Sequence, residues 1–431
     1  MKIIIHRGTK EIGGSCVEVR TAQARVIIDI GMPLSLDGKP IEKNFLNKAT
    51  EKDLKAHGIL PDVQGLYKNE TPTVDAIVLS HAHQDHYGLL RYIHPDIPVY
   101  LSDGARKILD ISDIFLPFKT GKVNGRVIEP GKRFEIKDIN VMPYLVDHSA
   151  FDALAFLLEG DKKRIFYSGD FRSHGRKGIL MRKLIQNPPK KIDCLLMEGT
   201  CIGRDDKEDR NETAVELDIA KVLKTNEKIT FFMSSSQNID RLVTAFRACK
   251  QSGSLFIIDL YTAYVLDQLQ TARKTMPHHT WEGVRVTALK HHEDKLIEAS
   301  HGAFVEDCHK HSISMKEIQK RKNKMLFLTR DNRIFRQFVA KYPELHGATI
   351  IYSMWEGYLT DNFKAFCQKN SLNLQLIHVS GHARVKDLAA FARALNPKVV
   401  IPIHTFHAER YGEIFDNVKI LKDGESWEVL G

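Results

Sequence analysis

The 431-residue sequence predicts an α/β protein, a sheet-rich body interrupted by a module of alternating strands and helices. Three features predict it. The first third is a series of short β-rich runs joined by turn chemistry; strand and helix periods alternate from about Cys201; strand–loop chemistry returns at the end.

In chain order, Lys2–His6, Cys16–Val19 and Arg25–Ile30 read as strands, with Gly13-Gly14-Ser15 as a turn. Val74–Ser80, Ile139–Leu145 and Arg164–Ser168 repeat the strand pattern, and Asp103–Asp110 is helical. Beyond Cys201, Glu212–Lys224, Asn238–Ser252 and Ala263–Lys274 have helical periodicity, while Ile229–Met233 and Ser254–Asp259 are strands, which predicts a parallel sheet. The basic run Lys316, Lys320, Arg321, Lys322, Lys324 fits a solvated helix face or a substrate-facing ridge. Finally, Leu374–Val379 is a strand, Lys386–Leu395 a helix and Val399–Ile403 a strand. The expected division is 1–200 and 370–431 for the body and 201–369 for the insertion.

Composition excludes several classes. With 43% hydrophobic and 27% charged residues the chain is globular rather than disordered. No apolar stretch approaches the roughly 20 residues of a membrane span, and Met1-Lys2 leads into Ile3–Ile5 without a cleavage site, so an unexported cytoplasmic protein is expected. The six scattered cysteines form no CxxC pair and suit a reducing compartment as small core residues. A net charge of +9 is compatible with a polyanionic partner but does not establish one.

The chemistry concentrates in His81-Ala82-His83-Gln84-Asp85-His86, directly after the strand ending at Ser80. Four potential ligands in six residues can fan out from one loop towards two adjacent metal ions, and imidazole with carboxylate suits zinc that keeps an open position. His148, Asp170 and His404 each follow an apolar strand and extend the ligand set.

These motifs resemble those of the metallo-β-lactamase superfamily and, within it, the β-CASP branch that includes ribonuclease J. Asp29 matches the first motif, residues 81–86 the HxHxDH motif, His148 the third and Asp170 the fourth. The β-CASP motifs are matched by Glu198, by His382 in Ser380-Gly381-His382-Ala383, and by His404. The resemblance implies a metallo-β-lactamase αββα sandwich interrupted by an inserted β-CASP α/β domain. It implies two Zn²⁺, with Mn²⁺ as the alternative: His81, His83 and His148 on one ion, Asp85, His86 and His404 on the other, Asp170 between them. Asp29 and Glu198 would support the ligands from behind, or serve as ordinary strand-end acids. Ser234–Asn238 with Arg241 resembles a helix-opening segment of ribonuclease J-like proteins, so Ser235, Ser236, Asn238 and Arg241 could cradle a phosphate or simply cap a helix. Ser380, Gly381, His382 and Ala383 are further substrate-binding candidates. Trp355 and Tyr358 could stack on a base, although a core position is expected for Trp355.

Two metals roughly 3.5–4 Å apart would activate a hydroxide and clamp a phosphodiester for in-line attack. Asp85 or Asp170 would orient the nucleophile, and His382 would neutralise charge or protonate the leaving oxygen. The resemblance implies a ribonuclease acting on single-stranded RNA, with possible 5′-to-3′ exonuclease action, because His at the last motif is the pattern of RNA-acting members. A β-CASP DNA nuclease and a small-molecule ester or lactone hydrolase are the alternatives. The sequence runs 27 residues past His404, without the C-terminal extension of ribonuclease J proper, and a monomer or homodimer is expected.

Overall fold

The computed structural model describes all residues except 37–38, 42, 118, 205–208, 271–274, 321–322 and 430–431. The chain divides into two compact units, one formed by Met1–Ser173, Lys177–Lys207 and Gly381–Gly431, the other by His174–Arg176 and Glu208–Ser380. Residues 370–380, expected in the returning body, are therefore in the second unit. The cause is the strand Asn373–Leu376, which pairs in parallel with Thr349–Tyr352 and extends the second unit's sheet.

The first unit is built on two sheets. In one, Ser426–Glu428, Lys2–Arg7, Cys16–Arg20 and Arg25–Ile28 pair antiparallel, and Ala76–Val78, Val99–Leu101 and Gly125–Val127 continue in parallel. In the other, Val399–Ile403, Cys194–Glu198 and Lys163–Tyr167 run parallel, followed by antiparallel Leu154–Gly160, Ile139–Leu145 and Phe134–Ile136. Alternation decides the packing. Ile3, Ile5, Val17, Val26 and Val78 of the first sheet share one core with Val141, Phe156, Ile165, Leu196 and Ile401 of the second. The opposite face of the second sheet, with Leu157, Phe166, Leu195 and Val400, packs on Met181 and Leu184 of the helix Gly178–Gln186 and on Leu388 and Phe391 of the helix Val385–Leu395. Both faces are buried, so the runs Leu154–Leu158, Ile165–Tyr167 and Cys194–Met197 are continuously apolar rather than alternating.

The second unit has a six-stranded parallel sheet in the order Val284–Thr287, Leu255–Asp259, Met325–Thr329, Thr230–Met233, Thr349–Tyr352, Asn373–Leu376. The helix expected at Ala263–Lys274 begins earlier, at Leu260, because Asp259 caps it through the Thr262 N–H at 2.8 Å; it ends at Leu269, and residues 271–274 lie outside the described ones. Of the basic run, Lys316, Lys320 and Lys324 are exposed, and Arg321 and Lys322 lie outside the described residues. Among the described residues no helix is long and apolar enough to cross a membrane.

Candidate metal centre

Every residue of the motif set lies in the first unit; Asp85 and His86 sit on the short helix Gln84–Tyr87, His382 precedes the helix Val385–Leu395, and the others lie at or soon after the C-terminal end of a strand. Asp29 follows Arg25–Ile28, His81 follows Ala76–Val78, His148 follows Ile139–Leu145, Asp170 follows Lys163–Tyr167, Glu198 ends Cys194–Glu198 and His404 follows Val399–Ile403. Strands that share a direction deliver these side chains to one edge. Two of them hold backbone that L-residues rarely adopt, with φ of 60° at Asp29 and 51° at His404. That turn ends the strand expected to reach Ile30 at Ile28 and swings the Asp29 carboxylate beneath the loop.

The ring nitrogens show what the arrangement accepts. His148 Nδ1 lies 2.6 Å from the carbonyl of Gly381, so it carries the proton and leaves Nε2 bare. Ser80 Oγ donates to Asp29 Oδ2 at 2.7 Å and so accepts from His81 Nδ1 at 3.0 Å, which leaves His81 Nε2 bare as well. Both bare nitrogens point at His83 Nδ1, each 3.2 Å away. One proton cannot satisfy that convergence; a cation can. On the other side His86 Nδ1 donates to Asp29 Oδ2 at 2.8 Å, turning Nε2 towards Asp170 Oδ2 at 3.2 Å. Both facing atoms are buried and neither finds a hydrogen-bond partner. His404 Nε2 lies 3.3 Å from Asp85 Oδ2. Asp170 Oδ2 lies between 3.2 and 4.0 Å from nitrogens of His81, His86, His148 and His382. Four overlapping groups therefore place ligand atoms within 4.8 Å of one another: His81, His83, His148; His81, His86, Asp170; Asp85, His86, His404; and Asp170, Glu198, His382, His404. Donor type, burial and orphaned atoms all fit divalent metal.

The protonation pattern agrees with that geometry. Burial, reinforced by neighbouring imidazoles, holds His81 and His148 well below the ordinary imidazole value and His83 at about 4, which favours their neutral forms. Burial opposes charge on His86 and His382 too, but the carboxylates around them outweigh it and raise both. Asp85 and Asp170 stay well below the carboxylate range because the facing imidazoles outweigh their burial.

The supporting residues are specific. Asp29 is fully buried and accepts from Ser80 N–H, Ser80 Oγ, Tyr167 OH and His86 Nδ1, all within 2.7–2.8 Å. Glu198 accepts from the N–H groups of Phe171, Thr200 and Ala383, tying three loops together. Its Oε2 also lies 3.4 Å from His382 Nδ1.

Sequence reasoning missed several residues that hold the ligands. Thr200 Oγ1 bonds His404 Nδ1 at 2.9 Å, and Tyr167 reaches Asp29 from the neighbouring sheet. Gly31 lets the 81–86 loop press on the segment after Asp29: Ile30 and Met32 N–H donate to His86 and Gln84 carbonyls. A Cβ at Gly31 would sit 1.7 Å from the Asp85 carbonyl oxygen. The signals were present in Gly31 beside Asp29 and Thr200 beside Glu198, yet neither residue type proclaims a role.

The substrate candidates fare differently. Asn238 caps the helix Ile239–Ser252 by accepting from Arg241 N–H, as the capping alternative expected. Arg241 is fully buried and all its guanidinium nitrogens are engaged by Glu212, Ser353, His378 and the Val379 carbonyl, which removes it as a phosphate ligand. Ser236 is buried against Thr262 and Arg330, whereas Ser235 is exposed. These four residues lie in the second unit, as does Ser380, whose carbonyl accepts from His174 Nε2. Gly381 and Ala383 spend backbone groups on His148 and Glu198, leaving His382 as the member of that run whose side chain reaches the centre. Trp355 is corrected from core to surface: it is 45% exposed and meets Tyr358, 60% exposed, edge to face at 5.1 Å.

Residues 58–235 match the family model described as a beta-lactamase superfamily domain. Transcription termination factor FttA from Methanothermobacter thermautotrophicus is 24% identical over 324 residues, covering 70% of this chain and 46% of that protein. Ribonuclease J from Mycoplasma genitalium is 22% identical over 412 residues, covering 94% of this chain and 67% of that one. The chain thus spans under half of the first relative and about two thirds of the second. A crystal structure of a protein of unknown function from Enterococcus faecalis superposes with a TM-score of 0.78 at 20% identity, covering 99% of both chains, which shows a shared fold. Residues 58–235 thus match a beta-lactamase superfamily domain, and with the fold and the complete motif set the chain resembles the β-CASP, ribonuclease J-like branch of the metallo-β-lactamase superfamily.

Proposed function

We propose that the chain is a metal-dependent ribonuclease that hydrolyses phosphodiester bonds of single-stranded RNA, with two zinc ions as its cofactor and Mn²⁺ as the alternative. The observation that carries this reading is the convergence of bare imidazole nitrogens and buried carboxylates on shared points in the first unit. The relatives named ribonuclease J favour RNA over other phosphodiesters.

His81, His83 and His148 would hold one ion, Asp85, His86 and His404 the other, and Asp170 would face both. When bound, such ions lower the pKa of water and offset phosphate charge. Asp85, 16% exposed, lies on the open side of the centre and is placed to orient an attacking water. His382, 21% exposed, keeps Nδ1 towards Glu198 and Asp170 while its ring reaches solvent, so it is placed to pass a proton to the leaving oxygen. Ser80, Asp29, Thr200 and the Gly381 carbonyl hold the imidazoles in the tautomers that point their lone pairs inward. Action from the 5′ end, a cytoplasmic location and a monomer or homodimer complete the proposal.

The test is cleavage of end-labelled single-stranded RNA and matched DNA with Zn²⁺ or Mn²⁺, with an Asp85→Ala, His86→Ala double variant as control. Metal-dependent loss of RNA, spared DNA and an inert variant are expected, and the product ladder reads polarity. Metal-loaded protein that cleaves neither polymer would sink the proposal.

A further inference from the structure

The second unit holds another constellation of ligand-type side chains. Asp267 lies in the last turn of the helix Leu260–Leu269, and His278 and His279 follow nine and ten residues on from the helix end at Leu269. The three residues each bring one ligand atom within 4.8 Å of the others. His278 Nδ1 lies 2.8 Å from Thr280 Oγ1, which turns Nε2 towards Asp267 Oδ1 at 3.1 Å. The two imidazole rings lie 4.1 Å apart, centroid to centroid.

His279 makes the case more than an ion pair. It is 2% exposed, and its Nε2 lies 2.9 Å from Asp307 Oδ2. A carboxylate accepts only, so Nε2 carries the proton and Nδ1 is a bare lone pair. That buried Nδ1 has no hydrogen-bond partner. A buried acceptor without a donor is costly unless a cation meets it. A carboxylate behind the far nitrogen of a histidine is also how metal-binding imidazoles are commonly oriented. Asp267 and His278 remain 31% and 18% exposed, which gives an ion a way in.

We propose that Asp267, His278 and His279 bind a divalent transition-metal ion, Zn²⁺ by donor set, at a site in the second unit separate from the centre that the ribonuclease reading uses. Two imidazoles and a carboxylate match zinc with an open fourth position. The ion would join the end of the helix Leu260–Leu269 to the His278–His279 segment. Asp307, in the helix Gly302–Lys310, would join them through His279. Its role is to order this part of the second unit rather than to touch substrate.

The full chain, loaded with Zn²⁺ and freed of excess, is compared with an Asp267→Asn, His278→Gln double variant by elemental analysis. About one ion fewer per chain in the variant, with RNA cleavage unchanged, is the expected result. Adding Zn²⁺ to metal-stripped protein should slow amide exchange across residues 260–311 in the wild type and not in the variant. Equal zinc content, or equal protection, overturns the site; a His278→Gln single variant repeats the comparison if the double variant fails to fold. Failure of the ribonuclease reading would be seen separately, as a wild type that cleaves nothing yet still loses one ion on substitution.

Discussion

Asp29 Oδ2 and His86 Nδ1 share a 2.8 Å hydrogen bond between two fully buried groups, and this bond decides which nitrogen of His86 faces Asp170. Asp29 reaches that position only through a positive φ, and Ser80 and Tyr167 hold the carboxylate there. Removing it frees the His86 ring and leaves three donors without their acceptor. Asp29→Ala is expected to weaken metal binding about 10–100-fold while leaving each direct ligand in place. Titration against a metallochromic chelator reads the loss; unchanged affinity would show that Asp29 is an ordinary buried acid.

Gly31 tests whether the loop geometry is as tight as it looks. A Cβ there meets the Asp85 carbonyl at 1.7 Å, backbone that cannot swing aside as a flexible side chain would. Gly31→Ala should therefore displace the 81–86 loop, cost about 3 kcal/mol or more, and abolish metal binding together with it. Thermal melting with and without Zn²⁺ checks both halves. A variant that melts and binds like the wild type would refute the close approach.

Metal removal should register as lost stability, since the centre is otherwise a buried set of unshared lone pairs facing carboxylates. With free Zn²⁺ at about a thousand times its dissociation constant, the native state gains about 4 kcal/mol. EDTA should lower the melting temperature of the wild type by several degrees and that of a His148→Ala variant by less. Identical shifts in the two proteins would detach this stabilisation from the centre.

The edge that gathers the motif residues was legible in the sequence because those residues are rare types at or near the ends of apolar strands. His81, His83, His86, His148 and His404 announce themselves; Ser80, Thr200 and Tyr167 do not, since their hydroxyls matter only through the rings they touch. Strands such as Leu154–Gly160 are buried on both faces for most of their length and carry no alternation, so period-based reading passes over them. Arg241 shows the opposite error. A cationic side chain beside a serine run suggests phosphate, but Glu212, also in the second unit, neutralises it in the interior.

Trp355 and Tyr358 form an exposed aromatic pair in the second unit, and the single-stranded RNA of the proposed function offers bases that could stack on them. Base–aromatic stacking is worth about 1–3 kcal/mol per base. Trp355→Ala, in the inert Asp85→Ala, His86→Ala background, should weaken binding of a labelled oligonucleotide roughly 5–150-fold by anisotropy. Unaltered affinity would return Trp355 to the role of a surface residue without a ligand.

Glu18 provides a pH signature outside the metal centre. Its carboxylate is buried on Cys16–Arg20, yet it receives His6, Arg20 and Arg25 within 2.6–2.8 Å. Burial alone would raise its pKa, but the hydrogen bonds from His6 and Arg25 outweigh that and lower it from 4.5 to about 2. A carboxylate depressed in the folded state adds stability that is complete above its unfolded pKa and is lost as pH falls through the folded one. The stabilisation from Glu18 should therefore be full above about pH 5 and disappear progressively between about pH 4.5 and 2. Urea denaturation of wild type and Glu18→Gln at pH 7 and pH 3 reads this directly. The variant should be less stable by about 2–3 kcal/mol at pH 7, with the gap narrowing at pH 3. A gap that stays constant would mean that Glu18 acts through packing and neutral hydrogen bonds rather than through its charge.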